Sequence, residues 1–317
     1  MRRPLSYAGM KCSLCAAQVG LTHAIPPPLP VPRLRLVVPT IDLVDRNVFA
    51  QPPLSDWAAE LRILGVPGAW PDLSQLEELR DHVQSADGIA RPCLVAQTPA
   101  LLADGLHYEE RIQQGRLATR EQNWHDLLNA LAWLRYPRIK HALNVAQCAD
   151  IAEVGRRQRT RAQCAMTHFD EGGAIVLCSD PQLLALWDCH DWQGLFWRER
   201  SAWGERIAVQ VYGHALLELA LQPERLLTAK CIVLMTDAAS IGRVHADPLA
   251  VRQDIDARIA DLIAARSVLA DPQDLRPLPL SGIPGWHPGT SDQHFFSAAP
   301  CFRPLRPGRR YPPASTL

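Results

Sequence analysis

The chain has 317 residues, 47% of them hydrophobic and 21% charged, a composition with enough apolar side chain for a sizeable core. Lysine plus arginine number 33 and aspartate plus glutamate 33, so the formal net charge is zero; nucleic acid is disfavoured as a main partner, because binding a polyanion rests on a basic excess. Nine cysteines, an odd count without regular spacing, exclude a disulfide scaffold and read as reduced thiols.

Residues 1–40 read as an irregular, proline-rich tail. Ile25-Pro26-Pro27-Pro28-Leu29-Pro30-Val31-Pro32 must be extended, because proline lacks the amide donor and restricts its predecessor. No continuous apolar run marks a signal peptide, since Lys11, Gln18 and His23 interrupt it. Nor does any stretch approach the ~18 apolar residues of a membrane span. A cytoplasmic location is expected. Cys12 and Cys15 form a lone Cys-x-x-Cys with only His23 nearby, too few ligands for a zinc site.

Residues 56–64 and 73–83 predict short amphipathic helices, the second started by Pro71-Asp72. Residues 88–121 are weakly patterned. The strongest helix spans 123–134, is stopped by Tyr136-Pro137, and is followed by another over about 138–154. Residues 164–169 and 174–178 read as two strands of a hairpin turned by Asp170-Glu171-Gly172-Gly173, where glycine supplies positive φ. Beyond it come helices over 181–187 and 192–203, a strand over 206–212, a helix over 213–221, a strand over 228–235 and a long amphipathic helix over 248–269. This order predicts an α+β fold: a small antiparallel or mixed sheet packed with several helices around one main core, residues 41–302. Residues 303–317 bring Arg303, Arg306, Arg309 and Arg310 among prolines with no acidic residue, and read as a basic, irregular tail.

Two helices carry polar residues where burial is expected. In 123–134, Trp124, Leu127, Leu128, Leu131 and Leu134 form an apolar stripe, and alanines fill most of the rest; His125, Asp126 and Asn129 share the remaining side. In 213–221 only His214 and Glu218 are polar, one helical turn apart. A buried imidazole or carboxylate needs partners, because an unpaired polar group costs on the order of 1–3 kcal/mol. If the two helices face each other, His125, Asp126, His214 and Glu218 form a cluster of acid–base or metal-binding type, with Asp170 as an accessory carboxylate. His125, His214 and Glu218 are the candidate ligands of a divalent metal.

Three further groupings have simpler readings. Cys189-His190-Asp191 places adjacent residues in different directions. Residues 156–161, with four arginines, read as a solvated loop rather than a phosphate grip. Trp187, Trp192, Trp197 and Trp203 read as core anchors or as an exposed surface for a protein partner.

Several segments together resemble one family. Residues 123–131 (Asn-Trp-His-Asp-Leu-Leu-Asn-Ala-Leu) and 136–144 (Tyr-Pro-Arg-Ile-Lys-His-Ala-Leu-Asn) are similar to the opening motif of the bacterial domain of unknown function 3025 family. Its later blocks follow in order at 169–174, 195–197, 212–218 and 278–286, with Phe302-Arg303-Pro304 after them. His168 and Leu219 depart from it, standing where leucine and lysine are expected. The resemblance covers roughly residues 105–305 and implies a bacterial origin and a single domain through most of the chain; it carries no established activity. Two functions are therefore expected to compete: a hydrolytic or metal-assisted enzyme using the His/Asp/Glu cluster, and a non-catalytic binding protein whose cluster is structural.

Overall fold

The computed structural model describes residues 39–65 and 69–317. The proline-rich segment and the Cys12/Cys15 pair lie outside the described residues. Helices of six or more residues are α1 (Leu73–Asp87), α2 (Tyr108–Gln113), α3 (Trp124–Arg135), α4 (Pro137–Val154), α5 (Arg161–Gly172), α6 (Pro181–Asp188), α7 (His214–Leu219), α8 (Ala238–Ala246) and α9 (Pro248–Ala264). The strands are β1 (Cys93–Ala96), β2 (Arg116–Thr119), β3 (Gly173–Cys178), β4 (Ile207–Val211), β5 (Thr228–Met235), β6 (Arg276–Pro279) and β7 (Ser315–Thr316).

β1 and β2 pair in parallel as a separate two-stranded sheet. The main sheet is mixed, in the order β4-β3-β5-β6, with β7 added beside the far end of β5. β3 pairs antiparallel with β4 and parallel with β5. All six residues of β3 are buried, as expected for a central strand covered on both faces. The α+β expectation holds.

The predicted hairpin does not form. Residues 164–169 belong to helix α5, which opens on a reciprocal cap between Thr160 and Gln163. Ala165, Met166 and Phe169 are its buried apolar residues, and that spacing is helical rather than alternating. Asp170 and Glu171 therefore occupy the last turn of a helix, and Gly172–Gly173 is a helix-to-strand junction. Glycine is needed there for close approach: a Cβ on Gly173 would lie 2.2 Å from the Phe169 carbonyl oxygen, and one on Gly213 2.4 Å from that of Glu171. This contact presses the start of α7 onto the end of α5.

α3 is buried nearly all round, with Leu128, Leu131 and Ala132 fully inaccessible. Each large apolar side chain so buried contributes about 1.5–3 kcal/mol. Asn123 caps the helix by accepting the Asp126 N–H at 3.0 Å. α4 follows after Tyr136, and the buried Asp256 of α9 accepts the N–H groups of Arg138 and Ile139 at 3.0 and 2.9 Å. Those are among the unpaired amides of a helix start.

The 192–203 segment is not one regular helix; it contains a π-helical turn, Gly194–Arg198, and a 3-10 turn, Arg200–Ala202. The C-terminal segment departs from an irregular tail in that Ser315–Thr316 pairs with β5 and Arg276 donates to the Pro312 carbonyl at 2.7 Å. No helix among the described residues is long and apolar enough to cross a membrane.

Candidate functional site: a carboxylate–imidazole network

α3 and α7 do face each other. His125 Nδ1 donates to Glu218 Oε2 at 3.1 Å, and the Nε2 atoms of His125 and His214 stand 3.1 Å apart. On the inner side, His214 Nδ1 lies 3.9 Å from Asp170 Oδ2 and makes no hydrogen bond of its own. Asp170 is held by Lys140, whose Nζ reaches its two oxygens at 2.7 and 3.0 Å, and by the Tyr212 hydroxyl at 2.9 Å. Lys140 also donates to Asn129 Oδ1 at 2.8 Å, and Asn129 Nδ2 donates to the Tyr108 hydroxyl at 2.8 Å. The groups form one line: Glu218, His125, His214, Asp170, Lys140, Asn129, Tyr108.

Exposure divides the two imidazoles. The His125 side chain is 33% exposed and that of His214 5%. The hydrogen bond to Glu218, opposed by partial burial, raises the pKa of His125 above the ordinary histidine value. Burial pushes His214 down to about 3, against the attraction of Asp170. Burial would lift the pKa of Asp170, but Lys140 and His214 hold it below the ordinary carboxylate value.

These contacts limit where the protons can sit. Two bare nitrogens cannot face each other at 3.1 Å, because both present lone pairs; a proton or another cation must lie between them. With His214 neutral, its hydrogen belongs on Nδ1, toward the Asp170 carboxylate, which leaves Nε2 as acceptor. On that tautomer His125 donates through both nitrogens and is an imidazolium; with the hydrogen on His214 Nε2 instead, both rings are neutral.

Of the five residues expected at the site, four join this line: His125, His214, Glu218 and Asp170. Asp126 is engaged elsewhere, accepting Arg120 Nε at 2.9 Å and Nη2 at 2.7 Å, besides the Arg120 backbone N–H at 2.7 Å. The three-ligand metal set is not assembled. Glu218 stands behind His125 on its other nitrogen, so His125, His214 and Glu218 lie in series rather than around a point. Among the described residues, no group of three or more His, Cys, Asp or Glu is placed to hold a metal ion.

Lys140, Tyr212 and Tyr108 escaped the sequence reading. A signal for Lys140 existed: it lies one turn after Tyr136 and one before Leu143, on the face of α4 whose residues are buried.

A family model described as "Protein of unknown function (DUF3025)" matches residues 93–306. The chain belongs to the DUF3025 family. No curated protein and no solved structure gives a significant match. The DUF3025 span contains every member of the network, from Tyr108 to Glu218.

The other sequence candidates have structural partners. His190 bonds the Arg303 carbonyl at 3.0 Å and the Tyr311 hydroxyl at 2.9 Å, while Asp191 accepts the Gly194 N–H at 2.8 Å. Arg156 pairs with Glu110 at 2.9 Å and Arg161 with Asp271. Trp187 and Trp192 are buried, and Trp197 and Trp203 are partly buried against the core. The tryptophan segment is thus core, and not the exposed patch a partner would require.

Proposed function

We propose that the network is the acid–base centre of a hydrolytic enzyme, with His125 as the group that meets substrate. The observation that carries this reading is the 3.1 Å contact between a partly exposed His125 and a buried His214, each backed by a carboxylate. Glu218 orients His125 and stabilises its positive charge; Asp170, itself charge-balanced by Lys140, acts on His214 through its charge at 3.9 Å. The proton between the two Nε2 atoms is the one delivered: the His125 Nε2–H turns from His214 to a leaving group, and that N–H bond breaks as the new bond forms. Attacking water supplies the replacement, so that water is added across the scissile bond. Water is the natural nucleophile, because among the described residues no serine, threonine or cysteine is hydrogen-bonded to either imidazole. A divalent cation is the alternative occupant between the two Nε2 atoms. It would take both histidines as ligands, with Glu218 as the carboxylate behind His125.

A panel of chromogenic esters, amides and phosphoesters tests the proposal with wild-type protein and His125→Asn. Turnover that falls at least ~100-fold in the variant, at unchanged melting temperature, is the expected result for a lost acid–base group. Turnover equal in both proteins contradicts it.

A second reading, a non-catalytic protein whose network is structural, is favoured by one observation. Two well-formed clefts among the described residues, of ≈ 440 and ≈ 360 Å³ with open solvent included, are lined by neither His125 nor His214. On that reading the panel gives no turnover, and His125→Asn changes stability alone.

A further inference from the structure

The larger cleft lies apart from the histidine pair, where the residues after α7 meet the segment 280–287. Its volume is ≈ 440 Å³ with open solvent included. Apolar walls come from Leu227, Leu280 and the ring of Trp286; the polar residues include Arg225, Ser281 and His287, and no aspartate or glutamate lines it.

These side chains carry hydrogen-bond donors with nothing to donate to among the described residues. Arg225 uses its Nε on Gln222 Oε1 and enters no ion pair, which leaves the two terminal nitrogens of its fork unspent. Ser281 Oγ accepts the Leu227 N–H at 2.9 Å, so its own O–H remains available. His287 Nδ1 accepts the Gly289 N–H at 3.0 Å, which places the ring hydrogen on Nε2. The Trp286 indole N–H has no partner, its backbone N–H being bonded to Ile283. A half-buried guanidinium without a carboxylate, surrounded by donors, lacks an acceptor of negative charge.

We infer that this cleft binds a small molecule bearing an oxyanion, a carboxylate or a phosphate group, through Arg225 and the neighbouring Ser281, Trp286 and His287 donors. The remainder of the ligand rests on Leu227 and the Trp286 ring. The inference is independent of the acid–base reading of His125.

The test is an NMR titration of the full-length protein, observing indole N–H signals at fixed ionic strength, with sodium benzoate and inorganic phosphate as probes. Trp286→Phe assigns the reporting signal. At least one probe is expected to shift that signal saturably, and Arg225→Gln to weaken its binding by roughly tenfold or more. Arg225→Lys keeps the charge without the planar fork and should fall between the two, a check that holds should the glutamine variant fold poorly. Saturation by benzoate alone identifies a carboxylate on an apolar body; by phosphate alone, a phosphate group; by both, oxyanion recognition without that distinction. The inference is overturned if neither probe moves the Trp286 signal, or if Arg225→Gln binds as tightly as wild type.

Discussion

Two regions adjoining α7 treat charge in opposite ways. In the helix itself, His214 and Glu218 enter a network whose carboxylates and cations balance inside the fold. Just beyond its end, the cleft around Arg225 offers donors and a cation with no acid beside them. Burial explains the difference. A charge removed from water must find its partner within the chain, whereas a group at a cleft wall can leave its partner to solvent or to a ligand. The network should therefore dominate stability, and the cleft should dominate binding.

That contrast is sharpest at Lys140. Lys140→Met leaves Asp170, whose side chain is 25% exposed, without its cation, a loss of up to about 3–5 kcal/mol, the cost of breaking a fully buried pair; urea unfolding measures it, and Lys140→Met with Asp170→Leu should recover much of the loss. A Cβ at Gly213 would meet backbone at 2.4 Å, so Gly213→Ala should destabilise by up to about 3 kcal/mol and disturb the His125–His214 contact.

The third effect depends on pH. The folded pKa of His214 is depressed to about 3 from 6.5, so between those values the unfolded chain binds the extra proton. The stability that His214 contributes is complete above pH 6.5 and is lost as pH falls, by roughly 2 kcal/mol at pH 5. His125 runs the other way: its raised pKa stabilises the fold below pH 6.5, and that gain is lost as pH rises through the folded value. His214→Gln should flatten the acid limb of a stability-versus-pH curve; a slope unchanged from wild type would show that His214 is not buried as described. The smallest effect belongs to the cleft, where Arg225→Gln should alter stability by no more than about 0.5 kcal/mol. A larger loss would break the comparison, because Arg225 would then be structural.

Much of the site could be read from the chain. Polar pairs one turn apart on apolar helices marked His125, His214 and Glu218, because a helix buried all round shows its polar members plainly. Asp170 was found for the wrong reason, as a hairpin tip instead of the end of α5: the short apolar run 164–169 looks alike in strand and helix, and the Thr160–Gln163 cap that decides between them lies just outside it. Asp126 stands apart from the network because its partner, Arg120, sits in a loop before the helix, where no periodicity points to it. The cleft left no sequence signature, since its walls come from residues 48–52, 220–227 and 280–287, joined only by folding.

The most direct test of the central claim is nitrogen NMR of the two imidazoles at neutral pH. We expect His125 to carry hydrogen on both nitrogens and His214 on Nδ1 alone, with coupling across the Nε2···Nε2 hydrogen bond. Bare Nε2 atoms on both rings, or a charged His214, would contradict the shared proton and with it the acid–base centre.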